Sequence, residues 1–238
     1  MILLLDVGNS RVKWAEAHGE SIALGGAIAH EGKPADVVAR LDLDEPDAVW
    51  VATVTGHAHE LTLARAITGR WQRPPHFVRA EAEAFGLKNA YEDPRRLGVD
   101  RWLAMIGAWR ACGGACVVAD AGTALTVDAI DADGRHLGGL IAAGLKTSES
   151  AVLGATRFPT RATPLPVHDG LGLDTEACVR QGARLSVLGA MERAAALLPG
   201  ARCFLTGGDA EALATGLDST WEVRPALVFE GLLALARA

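Results

Sequence analysis

Two aspartates, Asp6 and Asp120, each follow a short apolar run and open a turn that contains glycine. The first turn is Asp6-Val7-Gly8-Asn9-Ser10, and the second is Asp120-Ala121-Gly122-Thr123-Ala124. Glycine lets the backbone come close to an anion and point successive N–H groups at it. An aspartate at a strand end can hold a hydrated Mg²⁺ ion that bridges the β- and γ-phosphates of a nucleotide. The two turns together therefore predict a site for the phosphates of ATP.

The neighbouring side chains add groups that suit a polyphosphate. Asn9 and Ser10 would donate hydrogen bonds in the first turn, and Lys13 would neutralise developing charge there. Thr123 takes the hydroxyl position in the second turn. Either turn taken alone is equally well explained as a plain β-hairpin, because Asp-x-Gly turns are common. The pair is far more specific than either member.

Asp100 and Arg101 form another candidate pair, in a segment whose apolar spacing predicts a helix that begins beside them. Asp is a favoured helix-capping residue, so a structural role for Asp100 stays open. The alternative is a general base that accepts the proton of an attacking hydroxyl, as an aspartate does in kinases. Arg101 would either bind a carboxylate in a bidentate fork or form a surface salt bridge. Sequence spacing does not decide between these roles.

The segments around both turns predict the same supersecondary unit. Residues 2–5 and 116–119 are apolar runs typical of buried strands, and a second β-rich stretch follows each turn, at 11–17 and 125–130. Chance is the competing explanation, but the shared context on both sides favours an internal duplication. The sequence therefore predicts an α/β fold made of two similar half-domains.

A linking helix is predicted at about residues 100–112, between the two halves. Apolar residues from Trp102 to Trp109 recur there at helical intervals, and glycines follow as a stop. The predicted domains are residues 1–113 and 114–238. Neither a flexible linker nor a low-complexity segment separates them, so we expect the halves to pack against each other with a cleft between them.

Apolar periodicity and turn residues place the remaining elements. The predicted strands are residues 47–54 and 203–206, the predicted helices are residues 60–71, 145–153, 174–198 and 230–236, and a Pro-rich loop is expected at 159–167. Strands and helices alternate in each half, as expected of an α/β fold.

The composition indicates a globular protein, because 50% of the 238 residues are hydrophobic and 22% are charged. A net charge of −6 disfavours nucleic-acid binding through bulk electrostatics. The opening apolar run ends at Asp6, too early for a signal peptide, and no uncharged stretch is long enough to span a membrane. We therefore expect a cytoplasmic protein with no nucleic-acid or membrane partner. The Walker phosphate loop and the Gly-x-Gly-x-x-Gly dinucleotide motif are both absent.

No two cysteines have the Cys-x-x-Cys spacing of a metal or redox site, so we expect reduced and mostly packed thiols. The cysteines are Cys112, Cys116, Cys178 and Cys203. His57 and His59 stand two apart and would bind a metal only with partners from elsewhere in the chain. Polar loop histidines are the preferred interpretation.

With these residues assembled, the chain resembles the type III pantothenate kinases, a branch of the acetate kinase, hexokinase and actin superfamily. The resemblance covers essentially the whole length. Besides the two Asp-x-Gly turns, it is carried by Tyr91, residues 97–101 (Leu-Gly-Val-Asp-Arg), 138–141 (Gly-Gly-Leu-Ile), 174–175 (Asp-Thr) and 206–209 (Thr-Gly-Gly-Asp). The Gly-Val-Asp-Arg element distinguishes this family from its superfamily relatives.

The resemblance implies a duplicated RNase H-like fold, a homodimer, and ATP-dependent phosphorylation of pantothenate to 4′-phosphopantothenate, the first committed step towards coenzyme A. The cofactors implied are Mg²⁺ with ATP and a monovalent cation, K⁺ or NH₄⁺. Two alternatives stay open, because a fold does not fix a function. One is a non-catalytic, transcription-regulating relative of the same family, and the other is a different small-molecule kinase on this fold.

The resemblance also assigns residue roles. ATP and its metal would contact Asp6, Val7, Gly8, Asn9, Ser10, Arg11, Val12, Lys13 and Thr123. Asp100 would be the base, and the pantothenate pocket would be lined by Tyr91, Gly98, Val99, Asp100 and Arg101. Thr175 would reach that pocket from the second subunit. Asp120 would bind the monovalent cation, whereas residue chemistry alone suggests a second Mg²⁺ ligand there.

Two positions depart from the family pattern. The family commonly has Pro before Gly after the Gly-Gly-Leu-Ile segment, whereas this chain has Ala143 before Gly144. Asp174 stands where Ser often precedes Thr175. Both changes lie on the substrate side or the dimer side of the expected site, so they bear on local geometry more than on the reaction.

Overall fold

The computed structural model describes residues 1–157 and 170–238, so the Pro-rich loop predicted at 159–167 lies outside the described residues. The strands are β1 (Ile2–Val7), β2 (Arg11–His18), β3 (Ser21–Ala29), β4 (Ala48–Thr53), β5 (Pro75–Phe77), β6 (Glu83–Ala84), β7 (Leu87–Lys88), β8 (Cys116–Ala121), β9 (Ala124–Ile130), β10 (His136–Ala143), β11 (Arg202–Thr206) and β12 (Trp221–Val223). The helices are α1 (Pro34–Arg40), α2 (His57–Trp71), α3 (Val99–Cys112), α4 (Leu145–Ala155), α5 (Thr175–Ala195), α6 (Ala210–Ala214) and α7 (Leu227–Ala236), with a short 3₁₀ turn at Pro94–Arg96. All the strands and helices predicted within the described residues are present.

The chain forms two compact units, Met1–Gly113 with Ala226–Ala238, and Gly114–Pro225. The first unit contains a five-stranded sheet in the order β3-β2-β1-β4-β5. β1, β2 and β3 are antiparallel neighbours, whereas β1, β4 and β5 run parallel. Parallel neighbours need crossover connections, which α1 and α2 provide here.

The second unit repeats this topology. Its sheet has the order β10-β9-β8-β11-β12, with an antiparallel meander from β8 to β10 and parallel pairing of β8, β11 and β12. In each sheet the first strand is central and ends in the Asp-x-Gly turn. The predicted duplicated, actin-like α/β fold is therefore confirmed.

Continuous apolar runs form the two central strands because these strands are covered on both faces. Leu3, Leu4 and Leu5 in β1 are fully buried, and so are Val117 and Ala119 in β8. The β1 core includes residues of α1, β4 and α2, whereas the β8 core includes residues of α5, β11 and α6. Each Asp-x-Gly turn is thus anchored on a well-packed strand.

Helices α3 and α7 touch backbone to backbone within the first unit. A Cβ atom added at Gly107 would lie 2.4 Å from the carbonyl oxygen of Leu227, and one added at Gly231 would lie 2.0 Å from that of Leu103. This close packing places α7 in the first unit, although the sequence prediction assigned residues 114–238 to one half. The difference arises because chain order carries no signal of this long-range contact.

Strand β3 and helix α1 were not predicted from the sequence. β3 is exposed along almost its whole length, so it lacks the apolar alternation of a half-buried strand. Trp14 of β2 packs on β3, where a Cβ added at Gly25 or Gly26 would clash with the indole ring. In the part of the chain that the structure describes, no helix is both long and apolar enough to cross a membrane.

Candidate active site

The first Asp-x-Gly turn places a carboxylate and an ammonium group side by side. Asp6 and Lys13 are cross-strand partners in β1 and β2. Lys13 Nζ lies 3.4 Å from Asp6 Oδ2, and Asp6 is only 6% exposed. The Gly8 N–H donates to the carbonyl of Arg11 at 3.0 Å and closes the turn. The hairpin register therefore brings together two residues that the sequence assigned to the phosphate site.

Asp100 lies in the first turn of α3, which Gly98 caps. The backbone N–H of Arg101 donates to Asp100 Oδ1 at 2.8 Å. Burial raises the pKa of Asp100 above its ordinary value, and the negative charge of Asp6 raises it further. The Arg101 N–H, the Arg101 guanidinium and the Lys13 ammonium oppose this rise. Asp100 is thus close enough to Asp6 and Lys13 for the charges to interact.

The Asp100 carboxylate lies close to the backbone of Gly98. A Cβ atom at Gly98 would lie 2.6 Å from Asp100 Oδ1, so the carboxylate occupies space that only glycine leaves open. The Asp100 side chain does not form the usual N-cap bond, because the capping position is Gly98 and no side chain caps this helix. A raised carboxylate pKa at a helix N-terminus, where anions are normally stabilised, is typical of functional sites.

Arg101 is buried and does not lie at the surface. It is 7% exposed, and its Nη1 donates to the Tyr91 hydroxyl at 3.1 Å. The guanidinium carbon also lies 5.9 Å from the centre of the Tyr91 ring. A pocket of about 610 Å³ beside this pair is lined by Tyr91, Glu92, Asp93 and Arg96. Two residues predicted to line a substrate pocket, Tyr91 and Arg101, are therefore in direct contact.

The second Asp-x-Gly turn, in the other unit, has a similar closure. The Gly122 N–H donates to the carbonyl of Ala124 at 3.0 Å. Gly207 has a φ of +101°, and a Cβ there would lie 2.4 Å from Asp120 Oδ1 and 2.3 Å from the carbonyl oxygen of Ala121. A side chain at this position is excluded by both strain and space. Two hard oxygen donors thus lie together beside a glycine.

The Thr123 carbonyl accepts hydrogen bonds from residues at the start of α4. The Gly144 N–H and the Thr147 hydroxyl both donate to the Thr123 carbonyl, at 3.2 and 2.6 Å. A Cβ at Gly144 would lie 2.0 Å from the carbonyl oxygen of Gly122, so this glycine is needed for the close approach. Ala143 ends β10 immediately before this contact.

Thr175 begins α5, and Asp174 caps that helix. Asp174 Oδ1 accepts from the Ala177 N–H at 2.8 Å, the same bond that a serine would make at this position. This contact makes Asp174 the N-cap of α5. Asp174 Oδ2 is buried and has no hydrogen-bond partner among the described residues.

None of the four cysteines forms a disulfide bond among the described residues; Cys116 and Cys203 are buried, whereas Cys178 is exposed. His57 and His59 lie in the first turn of α2, so the prediction that they are loop residues was wrong. The left-handed Gly56 starts the helix earlier than the apolar spacing indicated.

His30 contacts the first Asp-x-Gly turn, which the sequence did not reveal. Its ring Nε2 lies 2.9 Å from the carbonyl oxygen of Gly8, and its backbone N–H donates to that of Ser10 at 3.2 Å. A lone histidine 22 positions from its partner belongs to no recognisable motif. Only the pairing of β3 with β2 brings it to the first turn.

The family model and the curated relatives that match this chain agree on one family. The family model for type III pantothenate kinase matches residues 2–196. A protein from Halorhodospira halophila named type III pantothenate kinase is 39% identical over 263 residues, which cover 100% of this chain and 98% of that protein. One of the same name from Alcanivorax borkumensis is 35% identical, with 98% and 97% coverage.

Solved structures agree on the fold. A structure from Campylobacter jejuni described as a Baf family transcriptional activator superposes with a TM-score of 0.64 at 20% identity, covering 99% of this chain and 97% of the other. A structure described as a 2-dehydro-3-deoxygalactonokinase from Sinorhizobium meliloti gives 0.57 at 14% identity, with 100% and 98% coverage. At these identities the likeness establishes architecture alone.

Proposed function

This chain belongs to the type III pantothenate kinase family, and we propose that it transfers the γ-phosphoryl group of ATP to pantothenate, giving 4′-phosphopantothenate for coenzyme A biosynthesis. The observation that carries the proposal is the cluster of Asp6, Lys13 and Asp100, which unites a buried carboxylate, a cation and a carboxylate of raised pKa. Kinases use a carboxylate that holds Mg²⁺, a cation and an aspartate base in phosphoryl transfer.

In the proposed reaction, Asp100 accepts the proton of the attacking pantothenate hydroxyl. The hydroxyl oxygen forms a bond to the γ-phosphorus while the bond from that phosphorus to the bridging oxygen breaks, and ADP leaves with the electron pair. The raised pKa of Asp100 makes it a stronger base than an ordinary carboxylate. Lys13 would stabilise the negative charge on the transferring group.

Asp6 fits a Mg²⁺ ligand because it is a buried carboxylate within the turn proposed to bind the phosphates. Mg²⁺ held there with ATP would neutralise phosphate charge. The Gly8–Arg11 turn would present N–H groups to the phosphates, with contacts from Val7, Asn9, Ser10 and Val12. Thr123 is proposed as a further ATP contact.

Pantothenate carries a carboxylate, which suits a buried guanidinium. We assign Arg101 to it, with Tyr91 orienting the guanidinium through the 3.1 Å hydrogen bond. Gly98 and Val99 would line the same pocket beside Asp100. This arrangement would place one end of the substrate on Arg101 and its hydroxyl near the base.

Asp120 is proposed as the ligand of a monovalent cation, K⁺ or NH₄⁺. Its Oδ1 and the Ala121 carbonyl oxygen both crowd the Cβ position of Gly207, so they supply two hard donors of the kind that alkali cations prefer. We further propose a homodimer in which Thr175 reaches the pantothenate pocket of the second subunit. A cytoplasmic location is also proposed, because ATP is available there.

The experiment is product analysis with pantothenate and a panel of other hydroxyl acceptors, each incubated with ATP, Mg²⁺ and K⁺. Mass spectrometry should find 4′-phosphopantothenate and no comparable phosphorylation of other acceptors. Preferred phosphorylation of another acceptor would indicate a different small-molecule kinase. Salt-sensitive DNA binding without any kinase activity would favour the transcription-regulating alternative.

A further inference from the structure

His30 contacts the first Asp-x-Gly turn through both its ring and its backbone. The ring Nε2 lies 2.9 Å from the Gly8 carbonyl oxygen, while the backbone N–H donates to the Ser10 carbonyl at 3.2 Å. The residue is only 6% exposed. His30 therefore accounts for two of the carbonyl groups of a turn that has few residues.

The hydrogen bonds of the ring fix which nitrogen carries the proton. The backbone N–H of Gly32 donates to His30 Nδ1 at 3.1 Å, so Nδ1 is the acceptor. Nε2 then carries the hydrogen and donates to the Gly8 carbonyl. The ring thus bridges the turn and the loop after β3.

That loop has a conformation suited to hold the ring. Glu31 and Gly32 have φ values of 46° and 82°, so two successive residues are in the left-handed region. This conformation is unfavourable for Glu31. It directs the Gly32 N–H at the imidazole. The loop therefore anchors His30 independently of the turn.

Anchoring the Gly8 carbonyl has a consequence for the next N–H group. In a planar trans peptide the C=O and N–H bonds point in opposite directions. Because the Gly8 carbonyl points at His30, the Asn9 N–H points to the opposite side of the turn. The orientation of a potential anion donor is thus set by a histidine that lies behind it.

We propose that His30 is a positioning residue for the phosphates of ATP, acting through the Gly8–Asn9 peptide of the first turn. This inference rests on the proposed function, in that the anion at the turn is a nucleotide phosphate. His30 itself does not touch the nucleotide. Its loss is expected to weaken ATP binding and to leave pantothenate binding almost unchanged.

Two conservative variants separate the two hydrogen bonds of the ring. In His30→Gln the amide nitrogen can replace Nε2 as donor to Gly8. In His30→Asn the shorter amide reaches only the Nδ1 position and keeps the bond to Gly32. The loss of one positioning hydrogen bond corresponds to about tenfold in affinity. We expect His30→Asn to raise the calorimetric Kd for MgATP by about that factor and His30→Gln to stay within about threefold of the wild type.

Thermal unfolding and the KM for pantothenate serve as controls, since a role in packing alone would lower the Tm of both variants without separating their ATP affinities. Equal ATP affinity in His30→Asn and the wild type, or equal weakening in both variants, would overturn the proposal. If either variant fails to fold, ¹⁵N NMR of the wild-type His30 imidazole tests the proposal instead. An Nε2–H signal that shifts on addition of MgATP is expected, and an unchanged signal would refute the role.

ATP affinity also separates this inference from the proposed function. A wild-type chain that binds MgATP but does not phosphorylate pantothenate would contradict the proposed function and leave the comparison of His30 variants valid. A chain that phosphorylates pantothenate while His30→Asn binds MgATP normally would contradict only the role of His30.

Discussion

Asp100 is the residue at which the proposed site most clearly lowers the stability of the folded protein. Its carboxylate lies at a helix N-terminus, which normally favours an anion, yet burial and the charge of Asp6 raise its pKa. A purely structural capping residue would show the opposite shift. The two roles that the sequence left open for Asp100 therefore predict opposite effects of a neutral substitution on stability.

The first prediction is that Asp100→Asn has a higher Tm than the wild type at neutral pH, without nucleotide or Mg²⁺. Because the folded-state pKa is raised, the folded protein holds this proton more tightly than the unfolded chain. Wild-type stability therefore falls as the pH rises through the unfolded pKa towards the folded one. Well below the unfolded pKa of about 3.9 the carboxyl is protonated in both states, so the advantage of the variant should disappear.

Thermal unfolding of both proteins across this pH range tests whether the variant has the higher Tm. A lower Tm for Asp100→Asn at neutral pH would mean that the charge of Asp100 stabilises the folded protein.

The second prediction concerns Gly98. In Gly98→Ala the new methyl group would lie 2.6 Å from Asp100 Oδ1, so the flexible carboxylate must move while the backbone stays in place. Displacing the proposed base in this way should lower kcat by about tenfold or more with little change in Tm. The matched control is Gly69→Ala in α2, where nothing lies within 4 Å of the added atom. Steady-state kinetics that leave kcat of Gly98→Ala unchanged would remove Asp100 from the reaction.

At the scale of elements, the contact between α3 and α7 is the main packing feature that supports the site, since α3 carries Asp100 and Arg101 at its start. Gly107 and Gly231 let the two helix backbones touch. Residues Leu103 and Leu227, whose carbonyl groups lie at these glycines, are fully buried. The position of α3 should therefore depend on a helix that lies far away in the sequence.

The third prediction is that Gly107→Ala destabilises the protein by about 1–3 kcal/mol, because its methyl group meets a backbone carbonyl that cannot rotate away. Gly69→Ala, in an exposed part of α2, should instead stabilise by up to about 1 kcal/mol. Urea unfolding monitored by tryptophan fluorescence measures both changes. Equal stability of the two variants would mean that the helices move apart without cost.

The hairpins and their Asp-x-Gly turns were predictable from the sequence because their signals are local. Apolar runs of a few residues, a glycine turn and a second β-rich stretch are read within about ten positions. β3 was missed, since its exposed residues and its glycines at 25 and 26 carry no strand pattern, and Trp14 supplies the packing. The position of α7 was missed for a related reason, because its partner α3 is distant in the chain.

In the site, as in the fold, the local contacts were predictable from the sequence and the long-range contacts were not. Asp6 and Lys13 are close because the hairpin register pairs them, which a short turn makes inevitable. Asp100 was a candidate base from the sequence, but its charge interaction with Asp6 and Lys13 depends on the long-range packing of α3 and could not be predicted from spacing. His30 could not be found, because its contacts depend on the end of an unpredicted strand.

At the scale of the whole molecule, the two units share a strand order but differ at their turns. The first turn pairs Asp6 with Lys13, whereas the corresponding register partner of Asp120 in β9 is Thr126. A carboxylate beside a cation suits a phosphate and metal site, and a carboxylate beside a carbonyl suits an alkali cation. The same strand topology thus carries a proposed phosphate and metal site in one unit and a proposed alkali-cation site in the other.

The fourth prediction tests the proposed dimer by complementation. Asp100→Asn and Thr175→Leu should each be nearly inactive alone. If Thr175 acts on the site of the second subunit, a mixed dimer contains one site with both residues intact. Random reassociation should then restore about a quarter of the wild-type activity, since half the dimers are mixed and each has one working site. An unrestored mixture, shown to contain mixed dimers by native mass spectrometry, would place Thr175 in its own subunit's site or outside the site.

The most direct measurement is the single-turnover transfer of ³²P from γ-labelled ATP to pantothenate, by the wild type and by Asp100→Asn, with Mg²⁺ and K⁺ present. The wild type should label pantothenate, and the variant should do so at least about a hundredfold more slowly, because a neutral amide cannot accept the hydroxyl proton. Similar ATP affinity of the two proteins would locate the loss in the chemical step. A folded wild type that leaves pantothenate unlabelled, or a variant that labels it at the wild-type rate, would contradict the account.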